Sequence, residues 1–430
     1  MSDKSKEVTN GAGDSKPGTI GQEIDLFVRQ IDSLADTLPI AMLVVQSVNQ
    51  SSRQAYERFL EQECKITHDD GQTKTYTVES GRYFQFRRLE GRFQKADLAL
   101  ELVPRTFLAS LVSQFDAFLG RLIRQLFTIK PEALDSTAST LTFSQLTAFG
   151  SVEDAREYII EKEIESVLRK SHAEQFDWLE NKFGLKLRVD LKVWPVFIEV
   201  TERRNLLVHA NGMVSSQYLE VCRRHGSTLD PDLTPGKMLS VSRQYFETAH
   251  ECLYEIGVKL AQVLWRKLKT DDLEIADGNL LSVGYELLEE GRYRLARCLL
   301  DFSTETLKKH GKEEHRLSMI INRAQAYKWS GDDAMARKII DDVDWSATGL
   351  KFQLAQAVIL DEFNRALGIM IKIGTNGDIS KMGYREWPLF KEIRKVTDFS
   401  KTFEGIFGEP LSRVSLERRP PGSSEVRTIQ

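Results

Sequence analysis

The segment from Glu202 to Gly212 holds the side chains best suited to chemistry in this 430-residue chain. An arginine, an amide and a histidine share one short and otherwise apolar helical segment there. Arg204 carries a permanent charge suited to a phosphate, and His209 carries an imidazole that can act as acid or base. The same pattern also describes the last turns of a buried helix, so the segment has both a chemical and a structural interpretation.

The spacing within this segment limits how its groups can meet. Arg204 and His209 are five residues apart, which on a regular helix places them about 140° from each other. We therefore expect the two to converge only through a frayed last turn or through two chains that share one site.

The segment resembles the signature of the HEPN superfamily, in which an arginine precedes a histidine by four to six residues. Asparagine often follows that arginine, as Asn205 follows Arg204 here. The continuation 210–214, with Tyr218 and Leu219, is similar to HEPN proteins of bacterial defence and toxin systems. A helix upstream resembles the first helix of that four-helix domain, on the residues Ser113, Phe115, Asp116 and Phe118.

The resemblance covers residues 104–268 and implies a HEPN-like four-helix bundle with metal-independent endoribonuclease activity and no cofactor. It implies that His209 assists attack of a ribose 2′-hydroxyl on the adjacent phosphate. Arg204 would stabilise the developing charge and Asn205 would orient the site. RNA is then the expected substrate, and a homodimer that brings two motifs together is the expected active form.

Two choices within this site stay open. Arg203 also satisfies the family spacing to the histidine, although the adjacent Asn205 favours Arg204. For the acidic partner we expect Asp116 first and Glu202 second.

Each of these residues also has a structural interpretation. His209 could be a cap or a surface group, Asn205 could bond backbone inside the bundle, and Asp116 could be the polar edge of its helix. Arg223 and Arg224 lie close to the motif in sequence and indicate either a basic cleft or a solvated helix face. We assign no role to the remaining histidines, which are His68, His172, His225, His250, His310 and His315.

The helices that must position the motif are predicted from apolar spacing. Residues 107–126 predict one long helix, and 155–168 and 172–183 predict two shorter helices, the second ending at Gly184. Pro195 is expected to open the motif helix, and Asn211 with Gly212 to end it. The expected inward-facing residues of that helix are Val196, Phe197, Val200, Leu207 and Val208. For a helix that reaches residue 149, the expected cap is Thr140 or Ser144. For the helix after the motif, the expected cap is Ser215 or Ser216. A last helix is expected to span 241–268.

The chain before residue 104 is expected to hold a disordered tail at 1–20, then a helix and a small β-hairpin within 21–103. The apolar period changes from helical to two between Cys64 and Phe86, which is typical of strands. Basic and aromatic residues interleave from Arg82 to Phe93, which indicates either an RNA-facing surface or a solvated strand edge.

Residues 269–416 predict a helical-repeat domain, and 417–430 a flexible tail. Segments 287–296 and 327–336 align at a separation of forty residues, each with a glycine followed five residues later by an alanine. A weaker copy centres on 364–367. These resemble tetratricopeptide-like repeats, so we expect either a protein partner on their surface or a packing platform for the helical domain.

Composition sets the broad class of protein. Hydrophobic residues at 41% and charged residues at 28% are ordinary for a soluble globular protein. A net charge of -4 provides no global attraction for nucleic acid, so an RNA site must be local. Four scattered cysteines, the lack of a secretory pattern and the short apolar run at 38–45 favour a cytoplasmic protein without membrane association.

These observations predict an all-α protein with an N-terminal helical and hairpin extension, a HEPN-like four-helix bundle and a C-terminal helical-repeat domain. We expect a cytoplasmic endoribonuclease of the antiphage defence or toxin kind. The alternative is a binding module, in which an inactive bundle dimerises or senses a nucleotide and the repeats recruit a protein.

Overall fold

The computed structural model describes residues 19–70, 73–136, 141–189 and 191–412. Within these ranges the regular secondary structure is helical apart from one two-stranded sheet and an isolated β-bridge, which confirms the all-α class. Apart from residues 19 and 20, the tails expected at 1–20 and 417–430 lie outside the described residues. The chain divides into two compact units, residues 1–264 and residues 265–430.

The first unit contains eight of the labelled helices and the sheet, the eighth helix running past its border. In chain order these are α1 (Ile20–Glu63), β1 (Cys64–Asp69), β2 (Lys74–Val78), α2 (Tyr83–Ile129), α3 (Phe143–Ala148), α4 (Val152–Leu168), α5 (His172–Phe183), α6 (Trp194–His209), α7 (Ser216–Arg224) and α8 (Arg243–Leu268). Short 3-10 turns occupy Ser80–Arg82 and Pro131–Ser136.

Helices α1 and α2 run antiparallel, because the antiparallel β1–β2 hairpin joins them. We call residues 40–100 of this pair the arm. Its helices pack along partly buried side chains spaced by three and four residues, as in a coiled coil. The ring of Tyr56 stacks on Phe93 at 5.8 Å between centroids, and Asn49 donates to Asp97 at 3.4 Å.

The strand pattern expected as far as Phe86 was wrong beyond the hairpin, since Tyr83–Phe86 is the first turn of α2. A run of four residues is too short for a period of two to be distinguished from a helical period. In the structure Phe86 lies 5.9 Å from Tyr56 between ring centroids, so its packing against α1 selects the helix. Position 103, the expected end of the first domain, therefore lies inside one 47-residue helix.

The core of the first unit lies where the second half of α2 meets α1, α5, α6 and α8. Phe27 stacks on Phe118 at 4.4 Å between centroids, and Phe115 meets Phe197 edge-on at 5.0 Å. Helix α8 approaches Phe27 so closely that a Cβ at Gly257 would lie 2.4 Å from its ring. Only glycine fits at that crossing.

By length and composition, two helical stretches are apolar enough to cross a membrane, Ile20–Glu63 and Ser80–Ile129. Their apolar windows are 11% and 50% buried, respectively. Core helices of soluble proteins meet the same criterion. The absence of membrane association stays a prediction.

The expected caps of α5 and α7 are confirmed, and that of α3 was wrong. Gly184 ends α5 with φ of 65°, and Ser215 caps α7 through the amide of Tyr218 at 3.1 Å. Thr142 caps α3 in place of the expected residues. Of these, Ser144 lies inside the helix and Thr140 lies outside the described residues.

The second unit consists of successive helix pairs followed by shorter helices. These are α9 (Leu273–Glu289) with α10 (Tyr293–Asp301), α11 (Glu313–Trp329) with α12 (Asp333–Asp341), and α13 (Leu350–Ile359) with α14 (Phe363–Ile373), then α15 (Lys381–Glu386) and α16 (Thr397–Phe407). A π-helical turn at Phe302–Thr306 follows α10, and 3-10 turns occupy Thr270–Asp272, Pro388–Lys391 and Ile393–Lys395.

The turn between the two helices has the same geometry in all three pairs. Gly291, Gly331 and Asp361 each have positive φ, at 75°, 89° and 60°. The next residue in each turn donates its amide to a carbonyl five residues earlier, at 2.8, 3.0 and 2.9 Å. An alanine five residues after each turn residue is buried, at 0%, 1% and 0% exposure. Asp361 thus occupies the position of the two glycines, which explains why the third copy is weak in sequence.

Candidate functional site

Helix α6 carries the motif and ends where its sequence predicts. Pro195 lies in its first turn, and His209 is its last residue. Asn211 and Gly212 then adopt positive φ of 48° and 80°, and the amide of Gly212 bonds the carbonyl of Leu206 at 2.9 Å. His209 is thereby placed at the end of a helix that stops at a defined point.

Arg105 of α2 holds this turn from outside the helix, a contact that the sequence did not reveal. Its guanidinium donates to the carbonyl and the side chain of Asn211 at 3.3 and 3.2 Å, and to the carbonyl of Leu239 at 3.4 Å. It also pairs with Glu101, and only 6% of it is exposed. Because 106 residues separate Arg105 from Asn211, no local pattern could indicate the contact.

The two adjacent arginines of the motif have different surroundings, and Arg203 lies in a buried polar cluster. Its Nε donates to Glu199 at 2.7 Å, and its guanidinium lies over the ring of Tyr245, 3.9 Å from the centroid. The hydroxyls of Tyr218 and Tyr245 donate to the same carboxylate, each at 2.7 Å. Burial raises the pKa of both tyrosines, and the Glu199 carboxylate adds to that shift. This cluster ties α6 to α7 and α8.

Arg204 points instead to a second polar cluster, built with α2 and α5. It forms an ion pair with Asp116 and bonds the Asn205 side-chain oxygen at 3.2 Å. The other oxygen of Asp116 lies 2.9 Å from Nε2 of His172. Asp116 therefore holds the arginine and the histidine together, across 88 and 56 residues of sequence.

A cleft of about 500 Å³ brings all four predicted site residues together: Asp116, Arg204, Asn205 and His209 all line it. Its lining also includes Lys170, His172, Gln175, Glu202, Ser215 and Tyr218. We had expected Arg204 and His209 to meet only through a frayed turn or a second chain. Within one chain, both border the same cleft although α6 is helical through His209, so neither a frayed turn nor a second chain is needed to bring them to it.

His209 is solvent-exposed at the rim of this cleft. The neighbouring Val208 is 53% exposed, which corrects its expected inward orientation, and Val196 is likewise 38% exposed. Met213 and Met238, paired across an isolated β-bridge, are 51% and 48% exposed. Val208 precedes the last residue of α6, and Met213 follows that helix and pairs with Met238. We call these three exposed apolar side chains the rim residues.

Glu202, the second choice for the acidic partner, also lines the cleft. Burial raises the pKa of its carboxyl, and the charges of His172 and Arg204 act against that shift. Asp116 rather than Glu202 makes the ion pair with Arg204. The cleft thus contains one carboxylate held by Arg204 and His172, and one carboxyl whose ionisation is opposed by burial.

His172, to which the sequence assigned no role, is the residue missed at this site. It is 6% exposed and packs edge-on to Phe197 at 5.5 Å between ring centroids. Its local sequence shows only the first residue of a helix capped by Ser171. Of the basic residues expected near the motif, Arg224 pairs with Glu220 at 2.6 Å, and neither Arg223 nor Arg224 lines the cleft.

Among the described residues, no group of three or more histidine, cysteine, aspartate or glutamate side chains could hold a metal ion. No protein-family model matches the chain, and no curated protein or solved structure compared with it matches either.

Proposed function

We propose that this protein is a metal-independent endoribonuclease of the HEPN kind, and that the cleft beside α6 is its active site. The observation that carries the proposal is the joint position of Arg204, held by Asp116, and His209 on one cleft. A fixed cation beside a titratable imidazole is suited to phosphodiester transesterification.

The proposed reaction needs no group beyond the chain and the RNA. The ribose 2′-oxygen loses its proton and bonds the adjacent phosphorus, and the bond from phosphorus to the 5′-oxygen of the next nucleotide breaks. That oxygen takes up a proton, which leaves a 2′,3′-cyclic phosphate and a 5′-hydroxyl. His209 transfers a proton at one of these oxygens, Arg204 binds the phosphate oxygens, and Asn205 keeps the guanidinium in orientation.

A homodimer is part of this proposal, because one imidazole cannot act as base and acid in the same step. The rim residues provide an apolar surface next to His209, where a second copy could bring its own imidazole. In the second unit, the shared turn geometry supports tetratricopeptide-like repeats with a protein partner. We place the enzyme in the cytoplasm and in antiphage defence or a toxin system.

A second candidate is an inactive dimerisation or nucleotide-sensing module whose repeats recruit a protein. The ion pair between Arg204 and Asp116 favours it, since the cation is already engaged by a carboxylate. A substrate phosphate would have to compete with that carboxylate.

Cleavage of total cellular RNA and tRNA in EDTA tests the proposal. We expect wild-type protein and His68→Ala to leave 2′,3′-cyclic phosphate ends, and His209→Ala to leave RNA intact. His68 is the matched control, because it is an exposed histidine on β1. Equal cleavage by wild type and His209→Ala would remove His209 from the mechanism, and EDTA-sensitive cleavage would remove the metal-independent reaction.

A further inference from the structure

Three exposed cations form a line on the arm, and the proposed active site does not use them. Arg88, Arg92 and Lys95 lie on α2 at spacings of four and three residues, and all three are exposed. Phe84, one turn earlier, is 81% exposed. At about 100° per residue, the four side chains fall within roughly 80° of one helix face, over about 16 Å. We call these four residues the basic stripe.

Among the described residues, the charged groups of the basic stripe have no partner, in contrast to those of their neighbours. Arg87 pairs with Glu90 at 2.6 Å, Arg53 pairs with Glu57 at 2.8 Å, and Arg82 pairs with Glu63. No ion pair or hydrogen bond of the side chains of Arg88, Arg92 or Lys95 occurs among the described parts of the chain. A protein of net charge -4 thus presents three uncompensated cations in a row.

We propose that the basic stripe is a binding surface for single-stranded RNA. The three cations bind successive phosphates, and a base stacks on Phe84. Aligned cations next to an exposed ring are the combination that binds single strands without reading their sequence. An anionic bilayer requires a broad apolar face on the helix that carries the cations. The exposed apolar side chains Ile40, Leu43, Val44 and Val48 of the arm lie on α1, whereas the stripe lies on α2 and has one ring at its end.

Helix α2 also connects this surface to the cleft, because it carries both Phe84 and Asp116. The two are 32 residues apart, which is about 48 Å along a helix. At the roughly 3.4 Å per nucleotide of a stacked strand, about 14 nucleotides would span that distance, and an extended strand would need fewer. The stripe would therefore hold the distant part of a long substrate. The identity of the partner rests on the proposed ribonuclease function, but the test below measures binding alone.

The test is fluorescence anisotropy with the full-length protein and a labelled oligouridine carrying 2′-O-methyl groups, which cannot be cleaved. The stripe variant is Arg88→Gln with Arg92→Gln and Lys95→Gln. The matched control is Arg337→Gln with Lys338→Gln and Lys372→Gln, which removes the same charge from exposed positions of the second unit. All are surface changes, and thermal melting checks that each variant is folded.

We expect the stripe variant to bind an oligonucleotide of about 20 residues at least tenfold more weakly than wild type or the control variant. Three lost phosphate contacts should lower the slope of log Kd against log salt concentration by about 2. Phe84→Ala alone should weaken binding about fivefold or more and leave that slope unchanged, because stacking involves no counterion.

Equal binding by the stripe variant and the control variant would overturn the inference, even if the protein cleaves RNA. Stripe-dependent binding would uphold it even if total RNA and tRNA stay intact in the cleavage assay, so a failure of the proposed active site is seen separately. Stripe-dependent binding to vesicles of phosphatidylserine and phosphatidylcholine, with none to RNA, would overturn it in favour of a membrane surface.

Discussion

Replacing each motif arginine by methionine separates the stabilising residue from the one proposed to bind phosphate. In Arg203→Met, the buried Glu199 carboxylate loses its cation, although both tyrosine hydroxyls still donate to it. The side chains of Arg203 and Glu199 are 16% and 10% exposed, so solvent screens their ion pair little. Removing one partner of such a pair costs about 3–5 kcal/mol, and the remaining donors favour the lower end.

The cost for Arg204→Met is smaller, because Asp116 keeps His172 as a partner and is itself 24% exposed. The Nε of Arg204 is also buried without a hydrogen-bond partner among the described residues, so removing the side chain relieves part of the loss. About 1 kcal/mol is therefore expected for this partly exposed pair. For a unit of this size, each kcal/mol lowers the melting temperature by roughly 2–4 °C. We therefore expect a decrease of about 6–12 °C for Arg203→Met and about 2–4 °C for Arg204→Met.

Differential scanning calorimetry of the full-length protein measures both shifts. The transition of the first unit is identified with Leu111→Ala, which removes a fully buried side chain of α2. Cleavage assays below both transitions then complete the comparison, and only Arg204→Met should lose activity. Equal melting shifts, or loss of activity in Arg203→Met while it is folded, would refute the assignment of the two arginines.

Three further predictions concern the surroundings of the site. Arg105→Met should free the turn after α6, so that the amide of Gly212 exchanges its hydrogen faster than in wild type and cleavage falls; unchanged exchange would contradict this role. Glu202→Gln should raise the melting temperature near pH 7 but not near pH 4, because burial raises the pKa of this carboxyl and its ionisation then destabilises the folded state. A lower melting temperature at pH 7 would oppose that reasoning. Burial also raises the pKa values of Tyr218 and Tyr245, so the stability they provide is present below pH 10 and is lost as pH rises through their folded pKa values. The free energy of unfolding should fall above about pH 10 by up to roughly 2.7 kcal/mol per pH unit, and Tyr245→Phe should halve that slope in urea titrations.

The sequence alone determined the features that depend on neighbouring residues. Helix spacing, the glycine stop after α5, the proline start of α6 and the left-handed turn at Asn211 and Gly212 all follow from local backbone chemistry. The same locality explains the failure at Tyr83–Phe86. Four residues carry too little period to decide between strand and helix until α1 packs against them.

Only the tertiary structure decided which residues form the site. Arg203 and Arg204 are adjacent and chemically identical, and they differ because a turn of about 100° aims one at Glu199 and the other at Asp116. The contacts of His172 and Arg105 join elements 56 and 106 residues apart. An ion pair between separate helices depends on their packing angle and depth, and neither quantity is encoded in local spacing, so the polar partners of the motif emerged only when the helices were assembled.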